Sequence, residues 1–546
     1  MMSLKDNLDL EKAFRRVLQD KRDDVWPDIV GYRDYRLDIN ENLADLYARI
    51  ANPNSYKASL PLGIDLPKQG FTLRPGVVPL INDRVLYQSI ADFLAPYFTP
   101  ESCVYSNRLS ENHNSRRMFV PGVELWLEFQ GKVKELCNLY PFVVEIDITA
   151  YFDHISHDLL LHRLDDLFHG HIDRKILRQS KQLLQRLLKR WNRYGSRFGI
   201  PQMNDASSFF GNLYLDELDK WMIRHDYIFL RYVDDMRIFV SDEPSARKAL
   251  MDLIIQLRSI GMYVASSKTA IRRTDEVLAE LGKSIEHIEP IESNITSGNP
   301  AHLERAAQLL EDLFIEIVEN ELSFNDRLFR YSVNRFKKLK VTGLGKEIHS
   351  RVVTEVLNRL VSMPYSTYIF TDYLSLFPND KSVQILILDF LESPYNIYPW
   401  QEMLLLELLI RLNIMNTERV TSIARLIALS QAKHPACRAK ALVLWGKNGD
   451  YADRREIRGL YDNEPREDIR RAILVAIQEM QTGERDNFFQ SVSIHSPKVS
   501  ATAKYVQSLN QPTYHYYNPP SAYELIVDAY DDSDDLDDLG SEYFLY

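Results

Sequence analysis

The chain is 546 residues long, 45% hydrophobic and 26% charged, with a formal net charge of −11 at pH 7; that length predicts two or three domains rather than one. No apolar run approaches the roughly 20 residues of a membrane span, the N-terminal MMSLKDNLDLEKAFRR lacks the apolar core of a signal peptide, and three scattered cysteines without CxxC spacing argue against structural zinc and for a reducing compartment. The acidic balance alone disfavours a polyanionic partner, but nine acids and no Lys or Arg lie from Glu524 onward, so the remainder is near neutral and leaves room for a basic groove.

Residues 9–50 carry apolar positions at helical spacing, in LEKAFRRVLQ and NENLADLYARI, and predict helices. Tyr56–Ile90 is punctuated by Pro and Gly. It predicts a pair of strands presenting Lys68 and Arg74, then a helix from about Asp83. Taken alone, such a basic hairpin is an ordinary solvated feature. The short element YSNR, Tyr105–Arg108, comes next. Phe142–Ile155, FVVEIDITAYFDHI, runs from a β-rich segment through Asp147 into the aromatic pair Tyr151 and Phe152. An acid at the end of a buried strand is costly unless something binds it. Asp158–Arg193 is mostly helical, with eight Lys or Arg between Arg174 and Arg193. They form either a solvated face or a contact with a phosphate backbone. Gly199–Leu215, GIPQMNDASSFFGNLYL, holds Pro201, Gln202, Ser207 and Asn212. Phe229–Val240, FLRYVDDMRIFV, reads as two short strands around a tight turn with the adjacent acids Asp234 and Asp235. Gly261–Thr269, GMYVASSKT, follows a turn glycine with Lys268.

Acids on a hairpin tip usually mean only a solvated turn. Here both flanks are apolar, so the tip has to rise from a buried sheet, and rigid carboxylates there make a platform for a divalent cation. Asp147 and Asp234 are far apart in sequence and become neighbours only in a folded sheet. Two metal ions shared by them would activate the attacking and leaving oxygens of a phosphoryl transfer.

These blocks, in this order, resemble the reverse transcriptases. Asp147–Phe152 is similar to their motif A (D-x-x-x-x-F/Y), Gly199–Leu215 to motif B, Tyr232–Asp235 to motif C (Y-x-D-D) and GMYVASSKT to motif D. Pro67, Lys68, Gly70, Arg74, Pro75, Pro79, Asp83 and Arg84 resemble the family's finger segment. The resemblance covers roughly residues 10–290. It implies DNA polymerisation from dNTPs with Mg²⁺, or Mn²⁺ in its place, held by Asp147, Asp234 and Asp235. It further implies that Lys68 and Arg74 hold the triphosphate and that Gln202 lines the base-pair pocket. Phe152 then screens the sugar against a 2′-hydroxyl, Lys268 protonates the pyrophosphate, and Arg108 contacts nucleic acid. Two usual features of motif B are missing. Met203 stands where glycine is common and Ser208 where proline is common, which weighs against a close backbone approach at Met203.

The pattern changes after about Glu292, and helical periodicity dominates. His434–Trp445, HPACRAKALVLW, and Glu464–Ala476, EPREDIRRAILVA, look like two copies of one helix and resemble HEAT-like repeats. Phe329–Lys340, FRYSVNRFKKLK, mixes aromatics with cations, a combination suited to single-stranded nucleic acid through Arg335, Lys337 and Lys338; a solvated helix is the alternative. Residues 511–546 are rich in tyrosine and then acid, the composition of a disordered tail. Beside that reading stand two functional ones: the tail mimics nucleic acid, or it offers Tyr530, Tyr543 or Tyr546 as a priming hydroxyl. The expected fold class is therefore an α+β reverse-transcriptase fingers and palm domain (1–290), then an all-α HEAT-like helical repeat domain (291–510) and the tail (511–546).

A polymerase joined to helical repeats, without an integrase, RNase H or endonuclease signature, resembles the abortive-infection (Abi-type) reverse transcriptases of bacterial antiphage defence. That resemblance implies a cytoplasmic bacterial protein and protein-primed, template-independent synthesis of single-stranded DNA. It also implies homo-oligomers assembled through the repeat region. Two rivals stand beside it: a retron-like enzyme copying a dedicated partner RNA, and a non-catalytic nucleic-acid-binding module. Three intact clustered acids argue against the second.

Overall fold

The computed structural model describes residues 4–514 apart from 21–24, 113–114, 193–194, 298, 321–323, 342 and 344–345. The Pro- and Gly-punctuated stretch after residue 60 folds as an antiparallel hairpin, β1 (Leu62–Pro67) and β2 (Leu73–Val78), with Leu66 opposite Arg74. Gly70, at φ 75°, lies in the reversal that places Lys68 at the hairpin end. The apolar segments farther on form four more strands: β3 (Phe142–Asp147), β4 (Ile228–Tyr232), β5 (Asp235–Val240) and β6 (Ala270–Arg273). They make one antiparallel sheet in the order β4-β5-β3-β6. Val143, Val144, Ile146, Met236, Ile238 and Phe239 are buried in its two central strands.

Helix Glu243–Ser259 packs against β3 and β5, burying Ala246, Ala249, Leu253 and Leu257. Helix Asp205–Arg224 lies against β4 and against helix Ile81–Leu94. It starts where Asn204 accepts the Ser207 amide at 2.9 Å, an N-cap that Asn favours. These elements and the N-terminal helices share one core, which ends near Leu278.

The second core belongs to the helices from Ile291 to Tyr514. Helix Pro435–Asn448 packs against Pro399–Arg411, Thr417–Leu429 and Glu467–Ala476. The two similar sequence segments thus touch, and so closely that a Cβ on Gly446 would sit 2.1 Å from the Ala476 carbonyl oxygen. Ile64, Leu66, Val78 and the segment Val25–Val30 join this second core, far from it in sequence. The hairpin is therefore braced by the C-terminal helices: His434 Nε2 donates to the Gly63 carbonyl at 2.9 Å, and its ring meets Trp26 at 5.2 Å. Arg471 binds Asp34 at 2.8 Å and Asp28 beside it. The change of sequence pattern near residue 290 is not a gap in packing. Among the described residues no helix is long and apolar enough to cross a membrane.

Candidate active site

Strand pairing brings the acids together. Asp147, the last residue of β3, is in register with Asp235, the first residue of β5, and Asp235 in turn faces Tyr232 across the β4–β5 turn. Asp234 occupies that two-residue turn. Burial, and next the charge of Asp147, push the Asp234 carboxyl up to about 7, with Asp235 adding and Lys268 opposing. Burial also raises Asp235, against the pull of Arg237, whose Nε is 3.8 Å away. Lys268 Nζ donates to Asp147 Oδ1 at 3.2 Å. Its loop is pinned to the end of β3, because the Ala265 amide donates to the Asp147 carbonyl at 2.8 Å and the Thr149 amide to the Tyr263 carbonyl at 2.7 Å.

Among the described residues no three His, Cys, Asp or Glu side chains converge as a ready-made metal ligand set. Lys268 takes one oxygen of Asp147, and the charge of Asp147 disfavours a second ionised carboxylate at Asp234. The donors still fit a divalent cation, being hard carboxylate oxygens whose repulsion at Asp234 such an ion would relieve.

The hairpin delivers its cations to the same acids. Burial lowers Lys68, Arg74 and Lys268 lower it further, and Asp147 and Asp153 oppose. Burial lowers Arg74 too, against Asp153, Asp234 and Asp147. Gln202 Nε2 donates to Asp153 Oδ1 at 2.8 Å, so the segment before helix Asp205–Arg224 reaches the same cluster. The Phe152 ring lies 5.0 Å from that of Tyr151, tilted at 55°, and borders Gly211, where a Cβ would come within 3.4 Å of its ring. The Tyr151 hydroxyl donates to the Gly211 carbonyl at 2.5 Å. Met203 takes φ 60°, the left-handed conformation for which glycine is the usual residue. The left-handed turn thus forms at Met203 without the glycine.

Other expected site residues lie elsewhere. Arg335 is 1% exposed and bonds Glu292 at 2.6 Å while its guanidinium lies over Tyr331, so burial takes it away from nucleic acid. Lys337 is paired with Asp372. The mixed aromatic and cationic helix Asp326–Val341 is largely core, with Phe329 and Phe336 fully buried. Arg108 is spent on the Val104 carbonyl (2.9 Å) and Glu128 (3.0 Å), stacked over Tyr105. The Lys338 side chain and Tyr530, Tyr543 and Tyr546 fall outside the described residues. Two site residues escaped sequence reasoning. Asp153 directly follows Phe152, and that adjacency was the available signal. Arg327, from the start of helix Asp326–Val341, acts on Asp235, and nothing local in the sequence marks it.

Residues 66–288 match the family "Reverse transcriptase (RNA-dependent DNA polymerase)". The chain carries a reverse transcriptase domain. It is a nucleotidyltransferase domain of the DNA-polymerase type, and the matched span contains Lys68, Arg74, the four-stranded sheet and all four acids. The chain is also 24% identical over 192 residues to the putative COX1/OXI3 intron 2 protein of Saccharomyces cerevisiae, a match over 34% of this chain and 20% of that protein. It thus spans about a fifth of that relative's length. Two solved structures share low similarity. Apo telomerase from Candida tropicalis is 14% identical, covering 66% of this chain and 73% of that one, with a TM-score of 0.29. Candida albicans telomerase, in complex with a TWJ fragment of telomeric RNA, is 10% identical, covering 83% and 67%, with a TM-score of 0.25.

Proposed function

We propose that the protein is a DNA polymerase of the reverse-transcriptase type that joins dNTPs by two-metal nucleotidyl transfer and acts in bacterial antiphage defence. One observation carries the enzymatic part: the register of Asp147 with Asp235, the turn acid Asp234, and the hairpin cations Lys68 and Arg74 beside them. Asp147 and Asp234 would hold Mg²⁺, with Asp235 in support. Bound there, the metal supplies charge neutralisation at the phosphates and a lower pKa at the attacking hydroxyl.

The remaining roles belong to the chain's own groups. Lys68 and Arg74 offset the negative charge of a triphosphate, and their burial strengthens that interaction. Gln202 and Asp153 form a hydrogen-bonded floor beside the base-pair pocket. Phe152, backed by Tyr151 and Gly211, screens the sugar. Lys268 passes from Asp147 to the leaving pyrophosphate and protonates it. The C-terminal helices, read as HEAT-like repeats, brace the hairpin and assemble a homo-oligomer. Protein-primed, template-independent synthesis of single-stranded DNA is the form of activity favoured by the polymerase-plus-helices arrangement. The likeness to an intron 2 protein supports a second form, copying of a partner RNA.

The test is incubation of the purified protein with Mg²⁺ and labelled dNTPs, without template or primer, followed by electrophoresis before and after protease digestion. Label that migrates with the protein until digestion supports protein priming. Label that appears only when RNA is supplied supports the templated form and removes the first.

A further inference from the structure

Val233 sits between Tyr232 and Asp234 at φ 55°, in the left-handed region. When the first central position of a two-residue hairpin is left-handed, it usually falls to glycine. A β-branched residue there is strained by about 1–3 kcal/mol and persists only where its surroundings over-determine it. Those surroundings are present and buried. The Val233 amide donates to Ser106 Oγ at 2.8 Å, and Arg231 Nη1 donates to the Val233 carbonyl at 2.9 Å. The peptide groups on both sides of Val233 are thus held.

The holders are themselves locked. Arg231 Nε and Nη2 donate to the two oxygens of Asp219 at 2.8 and 2.5 Å, and Nη1 also reaches Asn212 Oδ1 at 3.1 Å. Asn212 Nδ2 closes the ring on the Ser106 carbonyl at 2.8 Å. Ser106, Asp219 and Arg231 are each 1% exposed, and Asn212 is 4% exposed. A buried ion pair is weak evidence for a stabilising role, because apolar residues of equal volume often serve stability as well. Here the pair's spare donor lands on the strained peptide of the β4–β5 turn. We propose that Arg231, anchored by Asp219 and Asn212, and Ser106 are positioning residues that fix the Val233–Asp234 turn, so that the Asp234 carboxylate is presented beside Asp147.

This inference rests on the polymerase reading for its kinetic consequence, but not for its structural one. The experiment combines Ser106→Ala, Arg231→Lys and Val233→Gly, singly and as the doubles with Val233→Gly. Three readouts are taken: kcat and KM for dNTP incorporation, the Mn²⁺ concentration for half-maximal binding followed by electron paramagnetic resonance, and amide hydrogen exchange of peptide 228–240. Ser106→Ala is expected to keep the melting temperature within a few degrees, lower kcat about tenfold with KM little changed, weaken Mn²⁺ binding several-fold and speed exchange of the turn amides about tenfold. Val233→Gly, which needs no clamp, is expected to reduce the kcat and Mn²⁺ penalties of both other substitutions to less than half. Unchanged exchange and Mn²⁺ binding in Ser106→Ala and Arg231→Lys would overturn the inference, as would equal penalties in the Val233→Gly background. If the wild type incorporates no dNTP, the polymerase reading fails alone, and the exchange and Mn²⁺ measurements still decide the clamp.

Discussion

Replacing Asp234 by Asn should abolish activity and yet stabilise the protein, by an amount set by pH. The carboxyl is pushed up to about 7 from 3.8 by burial and by Asp147. A carboxyl raised on folding makes the native state bind more protons than the unfolded state, so the wild type loses stability as pH rises through 3.8 to 7 and the loss is complete above 7. At about 1.4 kcal/mol per pH unit, the three-unit interval gives an upper limit of roughly 4 kcal/mol. Asp234 keeps part of its surface in water, and screening reduces the figure to about 1–2 kcal/mol. Asn cannot ionise and escapes the loss. In metal-free buffer, Asp234→Asn should melt roughly 2–6 °C above wild type at pH 8, with most of the difference gone at pH 4.5. Differential scanning calorimetry at the two pH values reads it directly. A variant less stable than wild type at pH 8, or a gain independent of pH, would refute the electrostatic account of the turn.

Protons and a divalent cation should compete at the same carboxyl, so Mn²⁺ affinity should fall about tenfold per pH unit below 7 and level off above it; a flat titration between pH 6 and 8 contradicts this. Gln202→Ala should raise KM for dNTP about five- to tenfold, the worth of one hydrogen bond, with a smaller change in kcat; steady-state kinetics check it. Gly446→Ala should cost about 3 kcal/mol or more by thermal unfolding, because the new methyl would meet the Ala476 carbonyl backbone. Arg335→Ala should cost about 1–3 kcal/mol by removing the cationic partner of Glu292, which the Tyr331 hydroxyl still contacts, while single-stranded DNA binding of the folded variant, followed by fluorescence anisotropy, stays unchanged.

The sequence revealed those parts of the site whose chemistry is local. A β-rich segment running into Asp147 specified β3, two short apolar strands specified β4 and β5, and the paired acids of the turn marked its tip. The hairpin with Lys68 and Arg74 was legible from Pro and Gly punctuation. What was not legible is which helix face turns inward. Phe329–Lys340 reads as a stacking and charge surface, yet Phe329, Phe336 and Arg335 face the core because neighbouring helices and Glu292 cover them. Nor could periodicity show that Ile64, Leu66 and Val78 pack on helices hundreds of residues away, since an amphipathic strand records that it has a partner and not which one. Met203 shows the converse. The left-handed turn survives without glycine, because the Asn204 cap and the Gln202 contact to Asp153 fix the chain on both sides.

The most direct measurement is incorporation of labelled dNTPs by the wild-type protein and by Asp147→Asn with Mg²⁺, both without template and on an RNA template bearing a DNA primer. The account predicts incorporation by wild type in at least one format and a loss of at least a thousandfold in Asp147→Asn, whose fold and melting temperature stay close to wild type. Equal incorporation by the two proteins, or none by the folded wild type in either format with Mg²⁺ or Mn²⁺, would contradict it.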